Sequence, residues 1–358
     1  MIYNEENYNK VKRLADFVAA TTEPRMKWMW GEALLGYALN ELDLTGESEK
    51  YTDFLKAYCD YWAKEDPAVD QSDTAAPGLI TYAMYKRTGN PEYKRLTDKV
   101  LDYIRYEPRL YRDCLNHLGS SKKAKIYPKS VWIDSVMMFS VFTSLYAKEN
   151  ADSDLLEFAA RQPLQYAEMM LDKDAGLWAH SYWVKRKSAY PKKNIFWGRG
   201  NGWVICAFPK ILDNIGRDHE RAPKIIEIFQ RTSAALLETV NEDHTFNTLL
   251  KHKSYRELSA TALIAAGWLH GIRCGYLDDT YLAPAVQAFE ACVLAIEESE
   301  DGVYMPEISG PTIPLPLFPK FGYTSVPKGK NWSYGVAAII FAAIEYNRCK
   351  SIIDASKK

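Results

Sequence analysis

The chain has 358 residues, 47% hydrophobic and 25% charged, which excludes a disordered polymer and leaves ample apolar side chains for a large core. Its 45 Lys and Arg balance 46 Asp and Glu, so the basic excess of a nucleic-acid binder is absent. No apolar run reaches the roughly 20 residues that span a bilayer.

The N-terminal segment MIYNEENYNKVKRL is polar, without the apolar stretch of a secretory signal, and about residues 5–20 read as a helix. A repeat follows. From Gly36 and again from Gly78 the chain runs Gly, an apolar helical stretch, a Thr-Gly turn, a Tyr and a second helix. The second helices carry apolar residues at helical spacing: Phe54, Leu55, Tyr58, Cys59 and Trp62 in one copy, Leu96, Val100, Leu101 and Ile104 in the other. Weaker copies begin near Asp134, Asn201 and Ser259, and a half unit begins near Tyr334. Pairing that half unit with the N-terminal helix gives six helix hairpins.

The first helix of each pair is richer in Gly, Ala and bulky apolar residues, and the second carries charge on one face. That asymmetry predicts an inner and an outer ring, hence an all-α (α/α)6 barrel, a six-hairpin toroid, as one domain over residues 1–358. An open solenoid is the alternative. The connections at about 106–132, 172–197, 241–258 and 300–333 are long and Trp-containing. Long connections in a compact fold are usually functional, and these should rim one face of the ring.

Aromatic residues make up 13% of the chain, with 10 Trp and 24 Tyr. They serve either a large core or the stacking faces of a carbohydrate site. The six cysteines form no CxxC motif and read as buried thiols in a reducing, cytoplasmic compartment. No cofactor or metal is expected: His117 and His180 have no second His at ligand spacing.

Asp134, in KSVWIDSVMMFSVF, opens an inner helix among Trp132, Met137 and Met138. Burial there would raise its pKa toward that of a general acid, whereas an Asp at a helix start is also a common N-cap. Asp73, in DQSDTAAPGLI, has the same two readings, with Asp70 a close competitor. Two carboxylates entering one cavity suit glycosidic chemistry. FWGRGNGWVI offers stacking faces at Trp197 and Trp203, a carboxylate fork at Arg199, and glycines for tight turns or close approach to a ligand. Without a preceding strand or a P-loop Lys it is no nucleotide loop. His180 could bond a substrate hydroxyl, and Trp28 and Trp30 could wall a sugar subsite. Glu257, Ser259 and Thr261 read as helix caps.

Together, Trp132-x-Asp134-x-x-x-Met138, GLWAH at Gly176–His180, WGRGNGW at Trp197–Trp203, E-x-S-x-T at Glu257–Thr261 and D-x-x-x-x-G at Asp73–Gly78 carry a resemblance over nearly the whole chain. The chain resembles the unsaturated rhamnogalacturonyl hydrolases of glycoside hydrolase family 105, related to the unsaturated glucuronyl hydrolases of family 88. The loop NHLGSS at Asn116–Ser121 departs from the Gly-aromatic-x-His of some members. The resemblance implies an (α/α)6 barrel acting on a small oligosaccharide with a non-reducing 4,5-unsaturated uronic acid, a rhamnogalacturonan-type disaccharide first. It implies Asp134 as general acid/base, protonating C4 and activating the water that adds at C5, with Asp73 beside it. Trp30, Trp132, Met138, His180, Trp197, Arg199 and Trp203 would line the substrate site, Arg199 at the uronate charge and Lys129 or Lys185 as basic alternatives. An (α/α)6 glycosidase on saturated sugars, an epimerase built on a histidine pair, and a non-catalytic sugar-binding toroid are the competing readings.

Overall fold

A computed structural model of the chain describes residues 1–192 and 194–356. Among them are twelve long helices: α1 (Glu5–Thr21), α2 (Trp30–Thr45), α3 (Thr52–Glu65), α4 (Gly78–Thr88), α5 (Pro91–Tyr106), α6 (Val141–Glu149), α7 (Ser153–Met170), α8 (Gly198–Ile215), α9 (Ala222–Leu237), α10 (Leu258–Arg273), α11 (Leu282–Ala295) and α12 (Ser333–Arg348). A short helix, Ser72–Ala75, precedes α4, and a π-helical turn, Val136–Ser140, runs into α6.

The helices alternate between two rings. The inner ring is α2, α4, α6, α8, α10 and α12; each packs on the next, and α12 packs back on α2. Inner helices are buried almost all round: every residue from Leu258 to Ile272 of α10, and from Tyr334 to Tyr346 of α12, is out of solvent. Outer helices bury one stripe, as α5 does through Tyr93, Leu96, Val100, Leu101 and Ile104. The ring is closed by α1, which packs on α12. There the Tyr3 hydroxyl donates to Asn347 Oδ1 (2.8 Å), and the Asn4 amide donates to the Tyr346 hydroxyl (2.8 Å). The fold is therefore the (α/α)6 toroid read from the repeat, and the open solenoid is excluded. The repeated turn is visible in α4 and α5: Gly89 takes a left-handed φ of 68°, Asn90 caps the Glu92 amide, and Pro91 occupies the first turn of α5.

Short strands order the long connections. β1 (Arg109–Tyr111) and β2 (Cys114–Leu115) form one hairpin. β3 (Ser130–Trp132), β4 (Ser181–Trp183) and β5 (Ser188–Tyr190) form an antiparallel sheet in which Trp132 pairs with Ser181. β6 (Glu297–Ser299) pairs with β7 (Gly302–Tyr304), and β8 (Ile308–Ser309) with β9 (Lys328–Gly329). The β3–β4 pairing joins two connections that are far apart in sequence and brings Asp134 and His180 to the same point of the rim.

Candidate active site

A cavity of about 580 Å³ opens at the N-terminal ends of the inner helices. Both candidate carboxylates reach it. Asp73 comes from the short helix before α4, and Asp134 from the turn before α6. Neither caps its helix. Gln71 and Thr74 form a capping box on either side of Asp73, and Ser135 holds the cap position after Asp134. Asp70 lies outside the cavity lining, and its carboxylate faces Thr74 Oγ1 at 3.4 Å. Of the two sequence candidates, Asp73 is the one placed with Asp134.

Each carboxylate meets a histidine from a long connection. His180 Nε2 lies 3.1 Å from Asp134 Oδ2, and His117 Nε2 lies 3.5 Å from Asp73 Oδ1. The His180 approach is oblique to its ring N–H, so it acts as a charge–dipole contact more than an aligned hydrogen bond. The Trp132 indole stands between the imidazoles, stacked on His117 (ring centroids 4.3 Å apart) and edge-on to His180 (5.1 Å). His180 is held from behind, its Nδ1 2.9 Å from the Tyr323 hydroxyl and its ring stacked on Trp197 (4.4 Å). The other ring is held by Ser135, whose Oγ is 3.0 Å from His117 Nδ1 and which donates its own proton to Ser72 Oγ (3.0 Å).

These partners separate the two acids. Burial, reinforced by the Asp134 charge, pushes the Asp73 carboxyl up to about 7. Burial also opposes ionisation of Asp134, but His180 and His117 outweigh it and hold the group below the ordinary aspartate value. Burial pushes His117 down to about 4, so it is neutral at pH 7. The rise expected for Asp134 from its apolar sequence neighbours is thus corrected. Met137 and Met138 point into the core, while the groups facing the carboxylate are imidazoles. The raised acid is Asp73.

The remaining candidates divide into wall and support. Trp30, Trp132, Trp197 and Arg199 line the cavity, Trp30 stacked on Tyr334 (4.5 Å). Trp203 does not line it; fully buried, it meets Trp30 edge-on from behind at 6.1 Å. Met138 is core as well. His180 is fully buried and reaches the cavity only through Asp134. Trp28 is structural, its Nε1 donating to the Thr74 carbonyl (2.8 Å).

Arg199 is also fully buried. Its Nη1 and Nη2 donate to the carbonyls of Ser309 and Gly310, 2.9 Å each, and Glu257 faces it at 3.6 Å. Glu257 caps α10 through the Ala260 amide (2.7 Å) and also accepts from the Ser309 amide (3.0 Å), which bears out its capping role. Arg199 therefore fastens the loop that carries Pro311, Thr312 and Ile313 onto the cavity wall. The basic alternatives Lys129 and Lys185 lie outside the lining.

The glycines of WGRGNGW serve close packing of protein on protein. A Cβ on Gly198 would sit 2.3 Å from the Asn247 carbonyl oxygen, and one on Gly200 would sit 2.6 Å from the Trp197 ring. Asn201 clamps the GLWAH segment, accepting from the Trp178 amide (2.9 Å) and donating to the Trp178 carbonyl (3.1 Å). The two motifs are thus one assembly that fixes His180. Sequence reasoning missed His117, Lys27, Glu32, Lys123 and Tyr334 as lining residues. His117 and Lys123 had a signal, their place on a long connection expected at the rim.

The model of Glycosyl Hydrolase Family 88 matches residues 3–350. The chain belongs to glycosyl hydrolase family 88. It is 24% identical over 348 residues to the unsaturated rhamnogalacturonyl hydrolase YesR of Bacillus subtilis (strain 168), across 96% of both chains. To an unsaturated 3S-rhamnoglycuronyl hydrolase of Formosa agariphila it is 25% identical over 295 residues, 76% of this chain and 74% of that one. A family 105 glycoside hydrolase of C. acetobutylicum ATCC 824 superposes with a TM-score of 0.85 at 22% identity, covering 94% of this chain and 99% of that one. The unsaturated glucuronyl hydrolase of Bacillus sp. GL1 superposes at 0.71 with 14% identity, covering 97% and 96%. The family 88 assignment makes the protein a glycoside hydrolase and removes the epimerase and the non-catalytic toroid from the competing readings. Among the described residues, no helix is long and apolar enough to cross a membrane.

Proposed function

We propose that this family 88 hydrolase releases a 4,5-unsaturated uronic acid from the non-reducing end of lyase-generated oligosaccharides, a rhamnogalacturonan-type disaccharide first. The carrying observation is one cavity holding two partly buried carboxylates, Asp73 and Asp134, each against its own histidine, in surroundings that push their acidities apart, Asp73 to about 7 and Asp134 below its ordinary value. Such a pair supplies one acid and one base at neutral pH. Hydration of a C4=C5 vinyl ether needs both: a proton delivered to C4, and a water that loses a proton as it adds at C5.

In this reading Asp73 carries the proton in the resting enzyme and Asp134 is the ionised base. The two exchange protons as a coupled unit, so Asp134 keeps the central acid/base role and Asp73 shares it. Addition of water gives a hemiketal at C5, which opens and expels the aglycone. No glycosyl–enzyme bond forms. Trp30, Trp132 and Trp197 form the aromatic wall against which the sugars lie. The names of YesR and of the Formosa agariphila enzyme both describe rhamnose-containing unsaturated substrates, which favours rhamnose as aglycone. The six free cysteines, five of them buried, suit a reducing, cytoplasmic setting.

The aglycone test compares kcat/KM for unsaturated uronyl disaccharides ending in rhamnose, glucose and N-acetylhexosamine. The rhamnose compound should be fastest; a faster N-acetylhexosamine compound contradicts the aglycone assignment.

A further inference from the structure

We infer that Lys123 is the group that holds the carboxylate of the substrate's unsaturated uronate, the role that sequence gives to Arg199. The inference rests on the functional reading above and deepens it. An anionic sugar entering beside an ionised Asp134 needs a compensating cation. Arg199 is a poor one. Its Nη1 and Nη2 are held by the Ser309 and Gly310 carbonyls, and its charge is matched by Glu257 at 3.6 Å. The whole side chain is buried, its Nε–H sealed from solvent.

Two other cations line the cavity, Lys27 and Lys123. Among the described residues neither ammonium is engaged in an ion pair or hydrogen bond. Their positions differ. Lys27 precedes the start of α2 and its charge acts on Glu32, whereas Lys123 follows Ser120, whose amide donates to the Asp70 carbonyl (2.9 Å) and ties this turn to the Asp73 segment, and its charge acts on Asp73 and His117. The uronate carboxyl carbon is bonded directly to C5, one end of the reacting double bond. It must therefore sit beside the groups that serve C4 and C5, where Lys123 is. Lys122 and Lys125, on the same turn, do not line the cavity. An ammonium on a flexible stem in the cavity wall can follow the carboxylate as C5 changes from planar to tetrahedral, which a guanidinium fixed to two backbone carbonyls cannot.

The test measures kcat/KM on an unsaturated uronyl disaccharide as the free acid and as its methyl ester, for the wild type, Lys123→Met, Lys122→Met and Lys125→Met. The wild type should prefer the free acid. Lys123→Met should lose about 10- to 100-fold on the free acid, mostly in KM, and change little on the ester, so the preference collapses. The other two variants should keep it. A Lys123→Met enzyme with the wild-type ratio of acid to ester overturns the assignment and leaves the functional reading standing. A wild type that turns over neither form overturns that reading and the assignment with it.

Discussion

His180 Nε2 stands 3.1 Å from Asp134 Oδ2, and across the Trp132 indole His117 Nε2 stands 3.5 Å from Asp73 Oδ1. Two similar carboxylates thus have two similar partners and opposite acidities. The difference lies in which histidine outweighs burial. His180 beside Asp134 outweighs the burial of that carboxylate, whereas at Asp73 burial is reinforced by the Asp134 charge. The Trp132 indole stands between the two imidazoles.

Asp134→Asn and Asp73→Asn should each cut kcat by about 10²–10⁴-fold, because an amide matches the carboxylate in size but carries no transferable proton. Circular dichroism should show an unchanged fold. An Asp134→Asn enzyme keeping more than about half of the wild-type turnover would move the central role elsewhere, Asp73 first.

The pH profile separates the two roles. Asp73 must be protonated, and its folded pKa is raised to about 7, so kcat/KM should fall as pH rises through about 7. Asp134 must be ionised and its pKa is lowered, so the acidic limb should appear only below the ordinary aspartate range. Residual activity of Asp73→Asn should lack the alkaline limb; an alkaline limb unchanged in that variant assigns it to another group.

Gly198→Ala should destabilise the protein by about 1–3 kcal/mol, since its Cβ would stand 2.3 Å from a backbone oxygen that no rotamer can move. Thermal unfolding reads this directly, and an unchanged Tm would show that the Asn247 segment yields freely.

At the far end of the ring, buried Glu345 receives Arg273 Nε and Arg348 Nη1 at 2.8 Å each. Burial opposes its ionisation, yet His270 and the two arginines hold its pKa down to about 2. A lowered acid stabilises the fold above its unfolded pKa, and that stability is lost as pH falls toward 2. Glu345→Ala should therefore cost about 3–5 kcal/mol at pH 7 and much less near pH 2, measured by denaturant unfolding at each pH. An equal loss at both would mean that packing, not charge, carries the effect.

The ring was legible in the sequence because its information is local: the Gly36 and Gly78 repeats, the Thr-Gly turns, and inner helices apolar on every face. Helix starts expected near Trp30, Asn201, Ser259 and Tyr334 fall at Trp30, Gly198, Leu258 and Ser333, whereas those expected near Asp73 and Asp134 fall at Gly78 and Val141, behind a short helix and a π-helical turn. Asp73 and Asp134 were legible as a pair, but their acidities were not. Those depend on His117 and His180, which the β3–β4 pairing and the Asn201 clamp bring in from separate connections. The neighbours visible in sequence, Met137 and Met138, face the core instead. Arg199 shows the same limit: nothing in WGRGNGW reveals that two carbonyls near residue 310 and Glu257 occupy its guanidinium. Lys123 sits in a run of lysines, and only the cavity distinguishes it from the others.

The most direct measurement of the central claim is turnover of a Δ4,5-unsaturated uronyl disaccharide beside its saturated counterpart, followed by loss of the ultraviolet absorbance of the conjugated double bond and by release of the reducing aglycone. Hydration driven by Asp73 and Asp134 predicts that absorbance loss and aglycone release run together on the unsaturated compound, with no aglycone released from the saturated one. Equal aglycone release from both would contradict it and would make Asp73 and Asp134 the carboxylate pair of an ordinary glycosidase.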